Sequence, residues 1–267
     1  MFYYELHAHT NASSLCSIVE PEEYIKFYMD MGYSGIVVTD HFYHGNTAVN
    51  RKLPWSEFID KYCEGYYRAK REGDKHGFCV LFGFEQKFTD GNDEYIVLGI
   101  SPEWLKDHPE IRDMKRIPFF RTIREAGGFT IQAHPFRVCY YISDIRLCRE
   151  FVDAVEVLNI GHRDEYSRQA YEYAKNLGLP MTGGGDIHSL VERTTVSGVA
   201  LGKKIETVEE LICEIREGRA IPAPTERFEA LKDMPLERKL TLNAYELCED
   251  CRLVLSDDPF FDRMKLD

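Results

Sequence analysis

The stretch FYYELHAHT, residues 2–10, reads as an aromatic strand that ends on two histidines one position apart, His7 and His9. Side chains two apart on a strand point to one face, so both imidazoles can reach a single point. Other strand-like runs end in the same kind of residue. GIVVT (35–39) is followed by Asp40 and His41, CVLFGF (79–84) by Glu85, FTIQA (129–133) by His134, and PMTGGG (180–185) by Asp186 and His188. The runs EYIVLGI (94–100), AVEVL (154–158) and GVALG (198–202) complete the set, with helix-like segments between. That alternation predicts parallel strands joined by crossover helices. In a parallel barrel the C-terminal strand ends share one face, where the loops build the site. His7 and Asp186, 179 positions apart, would then converge.

The helix-like segments carry readable ends. In VEPEEYIKFYMDMG (19–32), Pro21 suits a first turn, Glu22 and Glu23 favour the positive end of the dipole, and Gly32 offers a left-handed stop. WSEFIDKYCEGYYRAKREGDKHG (55–77) reads as one long charged helix, RDEYSRQAYEYAKNLG (163–178) runs to Gly178, and TVEELICEIREG (207–218) repeats the pattern. After Pro222 and Pro224 the alternation stops, which divides the chain into a barrel over 1–224 and a C-terminal helical extension, 225–267, packed on the same domain.

At 267 residues and 44% hydrophobic, the chain can bury one large core. Its formal charge of −12, with no block of basic residues, argues against an extended nucleic-acid surface. An anionic substrate would need a local source of positive charge, which bound cations supply. No run approaches the ~20 apolar residues of a membrane span, and the N-terminus lacks the basic and apolar regions of a signal peptide, so a cytoplasmic location is expected. The eight cysteines show no disulfide framework. Cys248 and Cys251, in ELCEDC, have the gap of a zinc half-site or redox motif but no second pair nearby, and helix-surface thiols are the plainer reading.

Taken singly, a histidine after a strand is an ordinary loop residue. Recurrence at five strand ends, in a chain with only nine histidines, points to metal binding, and imidazoles mixed with carboxylates suit zinc, manganese or iron. Asp40 and His41 are adjacent and should diverge, His41 toward metal and Asp40 toward a neighbouring group that it orients. The glycines before Asp186 permit close backbone approach, and Pro135 biases His134 toward an extended conformation. Arg137 is placed to clamp a phosphate. Tyr43 and His44 follow the His41 motif and are candidates for substrate contact, and Asn159 and His162 follow a strand on the same face. His76 and His108 are expected to lie away from it.

Together HAHT, TDH, GFE, AHP and GGDIH, in this order, resemble the motifs of the polymerase and histidinol phosphatase (PHP) family of metal-dependent phosphoesterases, over roughly residues 3 to 202. The resemblance implies a distorted (β/α)7 TIM-like barrel with two or three metal ions. It implies that His7, His9, Glu85 and Asp186 bind one ion, that Glu85 bridges to a second also held by His134, and that His41 and His188 contribute to a third. Two departures stand out. NASSLCS (11–17) lacks the family's third-site carboxylate or imidazole, and Cys16 is the best substitute or else a small packed residue. Where many members carry a histidine on the strand after GxE, this chain has DEYIVLGI, with Glu94 at about that place as the expected ligand of the second ion; the alternatives are a more loosely held ion or, more weakly, His108.

The reading that follows is hydrolysis of a small phosphorylated metabolite, a phosphomonoester such as histidinol phosphate or a nucleotide, by metal-activated hydroxide. His41 or His188 would act as general acid if the third site is not filled. The alternatives are an amidohydrolase-type C–N hydrolase, for which the usual strand-end lysine is missing, and a non-catalytic metal-binding regulatory module.

Overall fold

The computed structural model describes residues 1–137, 142, 145–191, 193–236, 245–247 and 253–255. All eight expected strands form: β1 (Phe2–Ala8), β2 (Gly35–Val38), β3 (Cys79–Lys87), β4 (Glu94–Leu98), β5 (Phe129–Ala133), β6 (Ala154–Asn159), β7 (Met181–Gly184) and β8 (Gly198–Leu201). With β9 (Ile221–Ala223) they make one sheet in the order β7-β6-β5-β4-β3-β2-β1-β8-β9. The sheet curls until β7 returns to β1. The Asp186 amide donates to the His7 carbonyl at 2.9 Å, and Ala8 bridges Ile187 in parallel. The result is a nearly closed barrel.

The expectation of parallel strands needs correction at two places. β4 runs antiparallel to β3 and β5, and β8 antiparallel to β1 and β9. Only residues 88–93 separate β3 from β4, too few for a crossover, which takes roughly a dozen. Reversal has a consequence for chemistry: the first residue of β4, Glu94, stands opposite Lys87 and Ala133, at the rim where the parallel strands end.

Helices α1 (Pro21–Asp30), α2 (Trp55–Tyr62), α3 (Glu64–His76), α4 (Pro102–Asp107), α5 (Arg116–Glu125), α6 (Asp164–Leu177), α7 (Val208–Arg216) and α8 (Thr225–Asp233) surround the sheet. Pro21 opens α1, where Glu20 and Glu23 form a reciprocal capping box, and Gly77 and Gly178 end α3 and α6 in the left-handed region. The long helix expected over 55–77 is two, broken at Cys63. Beside the break the Tyr62 hydroxyl donates to the Asp40 carbonyl and the Ser13 hydroxyl donates to the Tyr62 carbonyl, so the end of α2 is bound to the loops that carry the site. The tail is helical over α8, whose Phe228 and Leu231 pack with Tyr173 and Ala174 of α6. The next described elements are two antiparallel strands, β10 (Tyr245–Leu247) and β11 (Leu253–Leu255), where continued helix was expected. Cys248 and Cys251 lie outside the described residues.

Glu5 clasps the closure of the barrel from inside β1. Its Oε1 accepts from the amides of Leu6, His7 and Gly185 at 2.9, 2.8 and 2.7 Å, and its Oε2 from the Tyr28 hydroxyl at 2.6 Å. Burial pushes its pKa up to about 7, against the pull of these hydrogen bonds. Removing the carboxylate would strand buried donors that each cost ~1–3 kcal/mol when unpaired. Glu5→Ala is therefore expected to lose at least about 3 kcal/mol in urea unfolding of metal-free protein. A loss below ~1 kcal/mol would show that the closure does not depend on this group.

Candidate metal centre

The ligand types expected at the strand ends do converge. His7 lies on β1 with His9 just beyond its end, His41 follows β2, Glu85 lies on β3, Glu94 starts β4, His134 follows β5, and Asp186 and His188 follow β7. Glu85 is fully buried at the middle. Its Oε1 lies 3.2 Å from His7 Nε2 and 3.4 Å from His134 Nε2, and its Oε2 lies 2.5 Å from His41 Nδ1 and 3.6 Å from His9 Nε2. Asp186 Oδ1 is 3.2 Å from His9 Nε2 and 3.7 Å from His188 Nε2.

These contacts are close but are not aligned as hydrogen bonds. Both Glu85 oxygens, Nε2 of His7, His9, His134 and His162, and Nδ1 of His9 and His41 are buried and lack a hydrogen-bond partner. Such atoms would each carry a desolvation cost of kilocalories per mole unless a cation receives their lone pairs. The chemistry of the set fits a divalent ion: His7, His9 and Glu85 place ligand atoms within 4.8 Å of one another, as do His9, His41 and His188, and His41, Glu85 and Glu94. The electrostatics agree. Burial opposes ionisation of Glu85 and Asp186, yet the surrounding imidazoles hold both carboxyls well below their ordinary pKa. Burial drives His9 down to about 3, assisted by the adjacent His41.

Cys16 sits at the edge of this cluster. Burial raises its pKa, but interactions with His188 and His41 outweigh it and bring the thiol to about 7. Asp40 and His41 diverge as expected. His41 faces Glu85, while Asp40 Oδ1 accepts from the Thr10 amide and the Ser14 hydroxyl, both at 2.6 Å, and Oδ2 from the Thr10 hydroxyl at 2.7 Å. Asp40 thus binds the loop behind His9 and touches no other candidate ligand through its carboxylate. Arg137 reaches the rim, where its Nη2 lies 2.5 Å from Glu94 Oε2.

His134 corrects one expectation. Its φ is +27°, not extended as Pro135 alone would favour, and Asp186 has φ +49°. Two non-glycine residues in this uncommon region, both in the cluster, are held by local hydrogen bonds. The His134 amide donates to Glu156 Oε2 at 2.9 Å and its carbonyl accepts from the Arg137 amide at 3.0 Å, while Asp186 is tied to the His7 carbonyl.

Sequence reasoning missed Glu156. It is buried in β6, where AVEVL reads as an apolar strand, and its Oε1 lies 3.0 Å from His7 Nδ1, which fixes that ring with Nε2 toward the cluster. The one signal was a charged residue inside an otherwise apolar run. Gly184 is its complement: a Cβ there would come within 2.1 Å of Glu156 Oε1 and 2.6 Å of His7 Cβ, which accounts for glycine before the ligand pair. Tyr43 and His44 bond instead to the carbonyls of Arg51 and Arg112. His108 stacks on Trp104 and His76 pairs with Glu72, both outside the cluster.

Comparison with known proteins identifies the family. A family model described as PHP domain matches residues 5–178. The uncharacterized protein MJ1587 of Methanocaldococcus jannaschii is 27% identical over 176 residues, covering 60% of this chain and 83% of that one. A two-domain protein of Bacteroides vulgatus, containing a predicted PHP-like metal-dependent phosphoesterase, has the same fold with a TM-score of 0.60 at 15% identity, over 83% of this chain and 64% of that one. PfuEndoQ, a lesion-specific endonuclease of Pyrococcus furiosus, gives 0.54 at 12% identity, over 83% of this chain and 58% of that one. The chain therefore spans less than two thirds of either solved protein, and at such identities the likeness is one of fold. Because the family match takes in His7, His9, His41, Glu85, Glu94 and His134 and most of the barrel that brings them together, the chain belongs to the PHP-domain family.

Proposed function

We propose that this protein hydrolyses a phosphoester of a small molecule, a phosphomonoester such as histidinol phosphate or a nucleotide, using two or three zinc, manganese or iron ions. The observation that carries the reading is the buried set of unpartnered imidazole and carboxylate atoms around Glu85. Divalent ions held there would lower the pKa of water and neutralise phosphoryl charge.

The chain's own residues then have separable tasks. Arg137 offers a planar fork that matches phosphate, at the rim and beside Glu94. His188 Nδ1 donates to the Asp186 carbonyl at 2.8 Å, which leaves Nε2 toward the cluster as a ligand or, when protonated, as an acid for the leaving oxygen. Asp40 is a positioning residue, holding the loop that carries His9 and Cys16. Preference for a small substrate rests on the formal charge of −12. The endonuclease among the structures of like fold gives no support to excluding nucleic acid.

No helix among the described residues is long and apolar enough to cross a membrane. Among the described residues, cysteines 16, 63, 79 and 213 form no disulfide, which supports the proposal of a cytoplasmic setting.

His9→Ala is expected to lower hydrolysis of a general phosphatase substrate with added manganese by more than about 100-fold, beyond what loss of an outer-shell partner brings. Its urea midpoint in the presence of chelator should match the parent protein, since a ligand and not core volume is removed. Full turnover with unchanged metal content would contradict the reading. For the third ion, Cys16→Ser is expected to reduce bound zinc by one equivalent in elemental analysis; equal zinc content and rate would make the thiol a packing residue.

A further inference from the structure

His162 stands in the loop between β6 and α6 and has no part in the assignments above. Its Nε2 is buried without a hydrogen-bond partner, 3.2 Å from Asp186 Oδ2. Its ring meets that of His134 edge-on, with centroids 5.1 Å apart. Ligand atoms of His134, His162 and Asp186 lie within 4.8 Å of one another, a set with two imidazoles and one carboxylate. Such a donor set suits zinc or manganese.

The loop is built to bring the ring there. Asn159 ends β6, and its Nδ2 donates to Glu156 Oε2 at 2.9 Å while its Oδ1 accepts from the Gly161 amide at 2.8 Å. This side-chain turn folds the chain back over the rim. Gly161 lets it pass close, since a Cβ there would stand 3.1 Å from Asn159 Oδ1 and 3.5 Å from Asp186 Cβ. Glu156 is common to the arrangement, because Oε2 also receives the His134 amide and Oε1 orients His7.

Glu94 is the competing candidate for the same ion, and its geometry is poorer. Oε2, its oxygen nearer His134 at 3.8 Å, is the atom that Arg137 holds at 2.5 Å. A cation drawing on that oxygen would have to displace the guanidinium or share the lone pairs with a positive charge beside it. Arg137 and His134 also bear on His162 electrostatically, but the contact at its Nε2 is the Asp186 carboxylate.

We propose that His162 completes the second metal site with His134 and Asp186, supplying from the β6–α6 loop the imidazole that β4 lacks. Glu94 is then the partner of Arg137, presenting the guanidinium at the rim. This rests on the proposed metal-dependent function, and the experiment separates the two. Metal-depleted full-length protein would be titrated with manganese by calorimetry, with His162→Ala, His162→Gln and Glu94→Gln alongside. Both His162 variants are expected to bind one equivalent fewer than the parent, or to bind it about 100-fold more weakly. Matching far-UV circular dichroism and urea midpoints in chelator would show that the variants fold. If the parent binds manganese and the His162 variants bind it equally well, or if Glu94→Gln alone loses an ion, the assignment of His162 is wrong. If the parent binds no ion at all, the metal-dependent function itself fails.

Discussion

A carboxylate with no access to water, Glu85, lies within 3.6 Å of four imidazole nitrogens, and neither of its oxygens has a hydrogen-bond partner. An ionised carboxylate in such a place is costly unless opposite charge meets it. Protonated imidazoles can meet it in part: burial opposes their charge, yet Asp186, Glu156 and Glu85 together hold the pKa of His7, and chiefly Glu85 that of His41, well above the ordinary histidine range. Divalent ions meet it more completely, because one cation accepts lone pairs from several rings at once while leaving the rings neutral. The rest of the structure is arranged so that this concentration of donors survives folding.

That arrangement is carried by a second layer of buried polar groups. Glu5 joins β1 to the glycine-rich loop before Asp186, Glu156 orients His7 and anchors His134, and Asp40 holds Thr10 and Ser14. Each has its oxygens satisfied by identifiable donors, unlike Glu85. The contrast separates the carboxylates that build the frame from Glu85, which is left for a ligand. Backbone strain falls on the same residues: His134 and Asp186 sit at positive φ, and their amides are fixed by Glu156 and by the His7 carbonyl.

Much of this was legible in the sequence because strand periodicity and barrel geometry act locally. His7 and His9 share a face by their spacing, and five strands ending in ligand types mark one rim without any knowledge of packing. What was not legible depends on pairing between distant segments. Glu156 gains its meaning only from His7, 149 residues away, and in AVEVL it looks like an isolated charge. The reversal of β4 follows from a short connection, and it alone explains how a residue at the start of a strand, Glu94, reaches the rim. His134 shows the limit of nearest-neighbour rules: proline's preference for an extended predecessor yields to the hydrogen bonds that its amide donates to Glu156 and its carbonyl accepts from the Arg137 amide. His162 was visible as a residue on the correct face, but its approach to Asp186 depends on the turn made by Asn159 and Gly161.

The most direct test of the account is anomalous diffraction from crystals grown or soaked with zinc or manganese. The account predicts strong anomalous peaks at about 2.0–2.3 Å from the Glu85 oxygens, with nitrogens of His7, His9 or His134 completing the coordination. Well-diffracting crystals with no peak at bonding distance from Glu85, in either metal, would contradict it.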